Sequence, residues 1–335
     1  KINFEFITHH ESHAALSYYL SGFKDALAFI IDQQGEFMSS SVWVIRNNKF
    51  KKVFSTDFPN SIGKLYASIT EYLGFKPLSD EWKVMALGAY SKNFNETYKN
   101  FSNLINLKKD GTFDLDTNFF NLINEKEGLL SEKFYSVFGP PRKNKEKLNN
   151  NHYRIAASLQ KLVESTVVSM ISKFIKKYKF KNICLSGGVF MNSVMNGKLV
   201  EKFNSNNFFI PYAPDDSGNS IGASLFKYYS NTNKKNLHYL YNSSPYKGTS
   251  YSDEYILKTF QKFKLKNRKD KNINEFICRS LEKKKVIGYF QGKMEFGQRA
   301  LGSRSILASP KFRIMKKIVN QSIKYREEFR PFAPA

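Results

Sequence analysis

Cysteine is nearly absent from this 335-residue chain, with Cys184 and Cys278 its only two. Two cysteines build no disulfide framework, so the fold must rest on a packed core, and the usage suits a reducing cytoplasm. Long apolar runs are missing as well. The longest useful one, Ala26-Leu-Ala-Phe-Ile-Ile31, falls well short of the roughly 18 residues of a membrane span. The opening Lys1-Ile-Asn-Phe-Glu-Phe6 lacks the basic-then-apolar layout of a secretory signal. Acidic charge is in deficit: 29 residues against 53 basic ones leave a net charge of +24. That balance invites nucleic acid. The excess, however, is lysine spread over the whole length, with no basic stripe of stacking aromatics and no helix-turn-helix or RNP-like signature. No specific nucleic-acid partner is expected, only general attraction to polyanions.

Arginine is the scarce base. There are ten, and five of them, Arg299, Arg304, Arg313, Arg326 and Arg330, fall in one short late stretch. A local turn from lysine to arginine points to a planar, permanently charged fork that grips phosphate or carboxylate through two hydrogen bonds. The text Gln291-Gly-Lys-Met-Glu-Phe-Gly-Gln-Arg-Ala-Leu-Gly-Ser-Arg-Ser305 adds glycines that let backbone N–H groups approach an oxyanion. A solvated basic helix is the alternative, and the glycines with interleaved Phe and Leu argue against it. The stretch reads as an anion pocket.

The chain reads as α/β, and 335 residues suffice for two domains. Lys24–Asp32 has the text of a strand, and Ser41–Ser55 that of a hairpin turning at Asn47-Asn48. Helical patterns cover Ile62–Leu73, Glu81–Leu87 and roughly His152–Tyr178. Residues 91–150 are rich in Lys and Asn and weakly periodic, yet aromatics recur in them, so they read as a surface insertion. Strand Asn182–Ser186 runs into Gly187-Gly188 and a helix from about Phe190. A short strand at Phe208–Pro211 follows, and Asp215–Ser220 opens another helix. Glycines between a strand and a helix N-terminus make an anion or nucleotide seat, or simply a tight turn. The polar stretch Asn231–Thr249 is the best boundary. Beyond it, Tyr251–Phe263, Ile273–Lys283 and Arg313–Ile323 read as helices, with strands at Val286–Gln291 and Ser305–Ser309.

Three of the five histidines fall in His9-His10-Glu11-Ser12-His13. On a helix His9 and His13 are one turn apart on one face, a spacing suited to a metal ion. The zinc-protease motif is excluded, because Glu11 does not directly follow His9. Asp32, at a strand end, and Asp216, at a helix opening, are the available carboxylates; such a set suits Fe(II), Zn(II) or Mn(II). Solvated histidines at a polar helix start are the other reading.

In order along the chain stand His9–Ala15, Ile31-Asp32 with Gly35-Glu36, Ser61-Ile-Gly-Lys-Leu-Tyr66, Leu73-Gly-Phe-Lys76 and Lys83-Val-Met-Ala-Leu-Gly88. They are followed by Leu185-Ser-Gly-Gly-Val-Phe-Met-Asn-Ser193, Pro214–Ala223, Gly292–Leu307 and Arg326-Glu-Glu-Phe-Arg-Pro-Phe-Ala-Pro334. Together these resemble the O-carbamoyltransferases of nodulation-factor and antibiotic biosynthesis, over nearly the whole chain except 91–150. The resemblance implies an actin-like ATPase (ASKHA, threonylcarbamoyl-transferase-like) domain over 1–240. Part of a YrdC-like α/β domain over 245–335 would follow, forming carbamoyl-adenylate from carbamoyl phosphate and ATP, with Mg accompanying the nucleotide. The first domain, holding iron, would then pass the carbamoyl group to a hydroxyl of a sugar or other small-molecule acceptor. Carried onto these positions, His9, His13, Asp32 and Asp216 match the metal motif. Ser61, Gly63, Lys64, Ser186, Gly187, Gly188, Gly218, Asn219 and Ser220 would seat the nucleotide and acyl group. Arg299, Arg304, Arg326 and Arg330 would hold phosphates, with Lys293 in support.

Two positions depart from the family pattern. Gln33 stands where Gly tends to follow the aspartate, expected to alter the turn after Asp32, and Gln298 stands where Pro is usual. The chain also starts without Met, eight residues before His9, and stops at Ala335 inside a motif. It therefore reads as a fragment, weak or inactive alone. Two competing functions belong to the same text: a threonylcarbamoyl-type enzyme acting on tRNA, and an inactive piece that binds only nucleotide or polyanion.

Overall fold

The apolar run Ala26–Ile31 lies at the centre of the main sheet, and every residue in it is fully buried. A strand covered on both faces reads as continuous apolar text rather than as alternation. In the computed structural model, which describes residues 4–121, 128–143, 146–230 and 244–332, the chain divides into two units, Lys1–Ser243 and Ser244–Ala335.

The first unit opens on helix α1 (His9–Ser21), closed by the left-handed Gly22. A meander follows: β1 (Asp25–Gly35), β2 (Met38–Arg46) and β3 (Lys49–Asp57). Its second turn is Asn47-Asn48, with φ of 48° and 64°, the two-residue hairpin geometry that asparagine tolerates. Exposed Lys49, Lys51 and Lys52 on edge strand β3 discourage pairing with another chain. A long crossover then carries α2 (Ile62–Tyr72), α3 (Glu81–Gly88), α4 (Asn95–Phe101), short strands β4 (Ile105–Leu107) and β5 (Phe113–Leu115), α5 (Glu132–Phe138) and α6 (Asn150–Tyr178). It re-enters the sheet as β6 (Asn182–Ser186), followed by α7 (Ser193–Lys202), β7 (Asn207–Phe209) and α8 (Asn219–Ser230).

The strand order is β3-β2-β1-β6-β7. β2 runs antiparallel to β1 and β3, while β1, β6 and β7 are parallel. Numbered along the sheet's own strands this is 3-2-1-4-5 with only the second reversed, the layout of the actin-like ATPase fold. Helix α6 begins with a reciprocal cap: the Asn149 side chain accepts from the N–H groups of Asn151 and His152, and His152 Nδ1 accepts from Asn149 N–H.

The described residues of 91–150 pack more tightly than their weak periodicity suggests. Phe101, Leu104 and Phe134 are fully buried, and the Phe134 ring centre lies 4.4 Å from that of Phe138, tilted, and 5.2 Å from that of Tyr72, edge-on. The Tyr72 hydroxyl donates to the Phe138 carbonyl at 2.8 Å, tying this segment to α2. The helix expected from about Phe190 starts later, at Ser193. Gly188–Met191 first make a 3-10 turn, and the Asn192 side chain accepts the Met195 N–H to open α7. Gln33 lies within β1, where the pairing with β2 shifts register between Ile31 and Gly35, and its N–H bonds Asp32 Oδ1 at 2.8 Å.

The second unit contains α9 (Asp253–Lys262), α10 (Ile273–Glu282), the antiparallel pair β8 (Ile287–Phe290) and β9 (Arg304–Leu307), and α11 (Ile314–Lys317). The helix expected over Arg313–Ile323 is split: after α11 the chain widens into a π turn, Ile318–Ile323. Cys184 is buried in β6 and Cys278 is exposed on α10. No helix among the described residues is long and apolar enough to cross a membrane.

Helix α8 lies directly on α1 because Gly222 has no side chain; a Cβ there would stand 2.0 Å from the Ser12 carbonyl oxygen. Gly222→Ala must therefore push the helices apart, and overpacking of this kind costs about 1–3 kcal/mol. Chemical denaturation is expected to show that loss; unchanged stability would mean that the helices do not meet here.

Candidate metal centre

The α1 face that carries His9 and His13 points at the carboxyl ends of β1 and β6. There the two imidazoles meet Asp32, from β1, and Asp216, from the turn before α8. His9 Nε2 is 3.2 Å from Asp32 Oδ2 and 3.2 Å from Asp216 Oδ1; His13 Nε2 is 3.1 and 3.3 Å from the same atoms. The two Nε2 atoms are 3.2 Å apart, and all four ligand atoms lie within 4.8 Å of one another. Five of the six separations in the group are 3.1–3.3 Å, the spacing that donors take around one ion with bonds of about 2 Å. Two imidazoles and two carboxylates also have the right chemistry for Fe(II), Zn(II) or Mn(II). The residues fit a divalent metal.

Burial is graded across the group. The His13 side chain is fully buried, Asp32 nearly so, His9 partly, and Asp216 is 72% exposed. The centre is thus anchored on the core side and open to a ligand beside Asp216. Hydrogen bonds donated to Asp216 and then to Asp32 raise His9 to about 10. Burial alone would lower His13, but the same two carboxylates outweigh it and raise its pKa. Asp32, which burial would raise, is held below the usual carboxylate range by His13 and His9, and the same pair lowers Asp216. His10 is not part of the group. It turns to β2, where its Nδ1 lies 2.8 Å from Ser41 Oγ, and burial pushes it down to about 4.

Around this quartet the structure gathers most of the residues assigned to the nucleotide. The Ser61 hydroxyl donates to the Gln33 carbonyl at 2.7 Å and accepts the Lys64 N–H at 3.0 Å, joining the start of α2 to the end of β1. A Cβ on Gly63 would meet Gln33 backbone at 2.7 Å, and one on Gly188 would meet Asp32 Oδ1 at 3.1 Å. Gly187 adopts φ +102°, with the Ile31 carbonyl oxygen 2.3 Å from where a Cβ would stand; only glycine suits that turn. Gly218 precedes α8, and Asn219 Nδ2 lies 3.2 Å from His13 Nε2. Lys64 and Ser186 are buried within the fold, while Ser220 is exposed on the first turn of α8.

In the second unit, Lys293 and Arg299 are exposed. Arg304 faces Glu295, with Nε 3.2 Å from its Oε2, and donates from Nη2 to the Gly297 carbonyl at 2.6 Å. Glu295, a residue sequence reasoning passed over, also accepts the Leu301 and Ser303 N–H groups, each at 2.7 Å. It sets the shape of the arginine loop, so Arg304 is partly committed to structure. Arg326 donates to Asn320 Oδ1 at 2.7 Å. Burial and then the Arg330 charge lower Arg326, and burial with both arginines lowers Lys324. Lys324, Arg326 and Arg330 therefore make one crowded cationic group, and Lys324 is a second residue missed in the sequence.

The family descriptions "Carbamoyltransferase N-terminus" and "Carbamoyltransferase C-terminus" match residues 1–225 and 278–335. The chain is 35% identical to an uncharacterized protein of Synechocystis, over 98% of this chain and 54% of that protein. It is 32% identical to an uncharacterized protein of Methanocaldococcus jannaschii, over 98% and 55%. With nodulation protein NolO of Bradyrhizobium diazoefficiens it shares 30% identity, over 98% and 58%. The chain thus spans a little over half the length of these relatives.

Because His9 keeps its proton to about 10 without metal, an entering cation must displace it. Affinity for Co(II), followed by its visible spectrum, is expected to rise with pH between 6 and 8.5, about tenfold per unit for each proton displaced. An affinity indifferent to pH would show that the imidazoles are not ligands.

Proposed function

The chain belongs to the carbamoyltransferase family, and from that premise we propose that it serves an ATP-dependent O-carbamoyl transfer in two steps. In the first, the carbamoyl group is joined to AMP, with release of pyrophosphate from ATP and of inorganic phosphate from carbamoyl phosphate at the expense of one water. In the second, an acceptor hydroxyl attacks the carbamoyl carbon and AMP leaves. The acceptor class is a sugar or another hydroxylated small molecule. The quartet His9, His13, Asp32 and Asp216 carries the reading, since it supplies a metal-ready group at the carboxyl ends of the sheet.

His9, His13, Asp32 and Asp216 would hold a divalent ion, iron by the family resemblance, which would supply positive charge able to polarise a carbonyl or phosphate oxygen. The protein's own residues do the rest. Carbamoyl phosphate and ATP are both anions, and their approach is opposed by several kcal/mol at short range. Arg299, Lys293 and the Lys324–Arg326–Arg330 group supply the opposing charge, and Glu295 holds the loop that presents Arg299 and Arg304. Preorganised cations of this kind stabilise charge as it moves in the transition state without rearranging. In the first unit, Gly188 and Asn219 stand beside the quartet, next to Asp32 and His13.

The two steps are separable by substitution. Arg299→Ala is expected to cut carbamoyl-phosphate-dependent pyrophosphate release by at least tenfold. His13→Ala is expected to leave that release largely intact while abolishing carbamoylated product, detected by mass spectrometry over a panel of hydroxylated acceptors. Pyrophosphate release that needs threonine and bicarbonate instead would overturn the proposal.

A further inference from the structure

We infer that Ser186 is a positioning residue for the metal centre, fixing His13 in the tautomer that can ligate. The inference rests on the metal reading above and deepens it. Ser186 ends β6 and is fully buried. Its Oγ lies 3.1 Å from the Pro214 carbonyl oxygen and 3.1 Å from His13 Nδ1. A carbonyl only accepts, so the single hydroxyl proton goes to Pro214. The serine oxygen then turns its lone pairs to His13, which must present Nδ1–H. A neutral imidazole protonated there keeps its free lone pair on Nε2, the nitrogen that faces Asp32 and Asp216.

A second serine–histidine pair on the same helix is wired the opposite way. Ser41 Oγ accepts the Trp43 Nε1–H at 2.8 Å, which leaves its own proton available to His10 Nδ1, also at 2.8 Å. With that donation His10 carries its proton on Nε2, which is buried without a partner among the described residues. The serine's other partner decides which nitrogen is free. Pro214 extends the arrangement to a further ligand: its carbonyl also accepts the Gly187 N–H at 2.7 Å, and Asp216 follows two residues later. One carbonyl thus sets the His13 ring and anchors the turn bearing Asp216.

Ser186→Ala removes the acceptor for His13 but leaves the Gly187 N–H on Pro214. In Zn(II) and Co(II) titrations of the whole chain, the variant is expected to bind about 10- to 100-fold more weakly, the usual effect of losing a group that orients a ligand. Its circular dichroism without metal should match wild type. In the zinc-loaded wild type, imidazole nitrogen NMR should place the proton of His13 on Nδ1 and zinc on Nε2. Equal affinity of variant and wild type, or zinc on His13 Nδ1, would overturn the inference alone. A wild-type chain that takes up neither metal would overturn the metal reading and this inference with it.

Discussion

A carboxylate at the end of a dry strand cannot stand alone. Asp32 follows six fully buried apolar residues, and an unpaired charge in that position would carry a heavy desolvation penalty. The partners come from α1, whose two imidazoles approach from one face, and from the Gln33 N–H. With Asp216 added, the metal-free group holds two carboxylates and two histidines raised toward the charged form, a balanced set. Exchange of two imidazole protons for one divalent cation would keep that balance, so the same four side chains suit either charge state.

The rest of the first unit arranges itself around these four side chains. Gly222 lets α8 lie against α1, which carries Asp216 and Asn219 over the histidines. Gly187 lets the end of β6 pass beneath Ile31, and Ser61 ties α2 to the residue after Asp32. The second unit answers a different problem with the same device. There the excess is cationic, and Glu295 holds the arginine loop through two N–H groups and the Arg304 guanidinium. One buried carboxylate orders a loop that would otherwise repel itself.

Much of this was legible in the text of the chain. The four-residue spacing of His9 and His13 gave their shared face, the apolar run before Asp32 gave a central strand, and Asn47-Asn48 gave the hairpin turn. What remained hidden depends on groups distant in sequence. Nothing near Ser186 announces that its hydroxyl points at Pro214, 28 residues on, and so it read as part of a nucleotide turn. Glu295 went unremarked because two of its partners are backbone N–H groups, which leave no mark in the sequence. The start of α7 slipped from Phe190 to Ser193 because Asn192, not the glycines, caps the helix. Residues 91–150 read as weakly periodic because short elements around an aromatic cluster obey neither helical nor strand spacing.

The route of the chain through its main sheet has a consequence for biosynthesis. β1, β2 and β3 are consecutive and can pair as soon as they are made, but β6, the other neighbour of β1, follows the entire crossover. Until then the most apolar strand of the protein is an open edge, with unpaired N–H and C=O groups beside Ala26–Ile31. Long-range parallel pairing of this kind is slow and leaves sticky surface exposed meanwhile. Conditions that protect the open edge during the wait, such as cooler expression or a holding chaperone, should govern soluble yield more than the chain's final stability does.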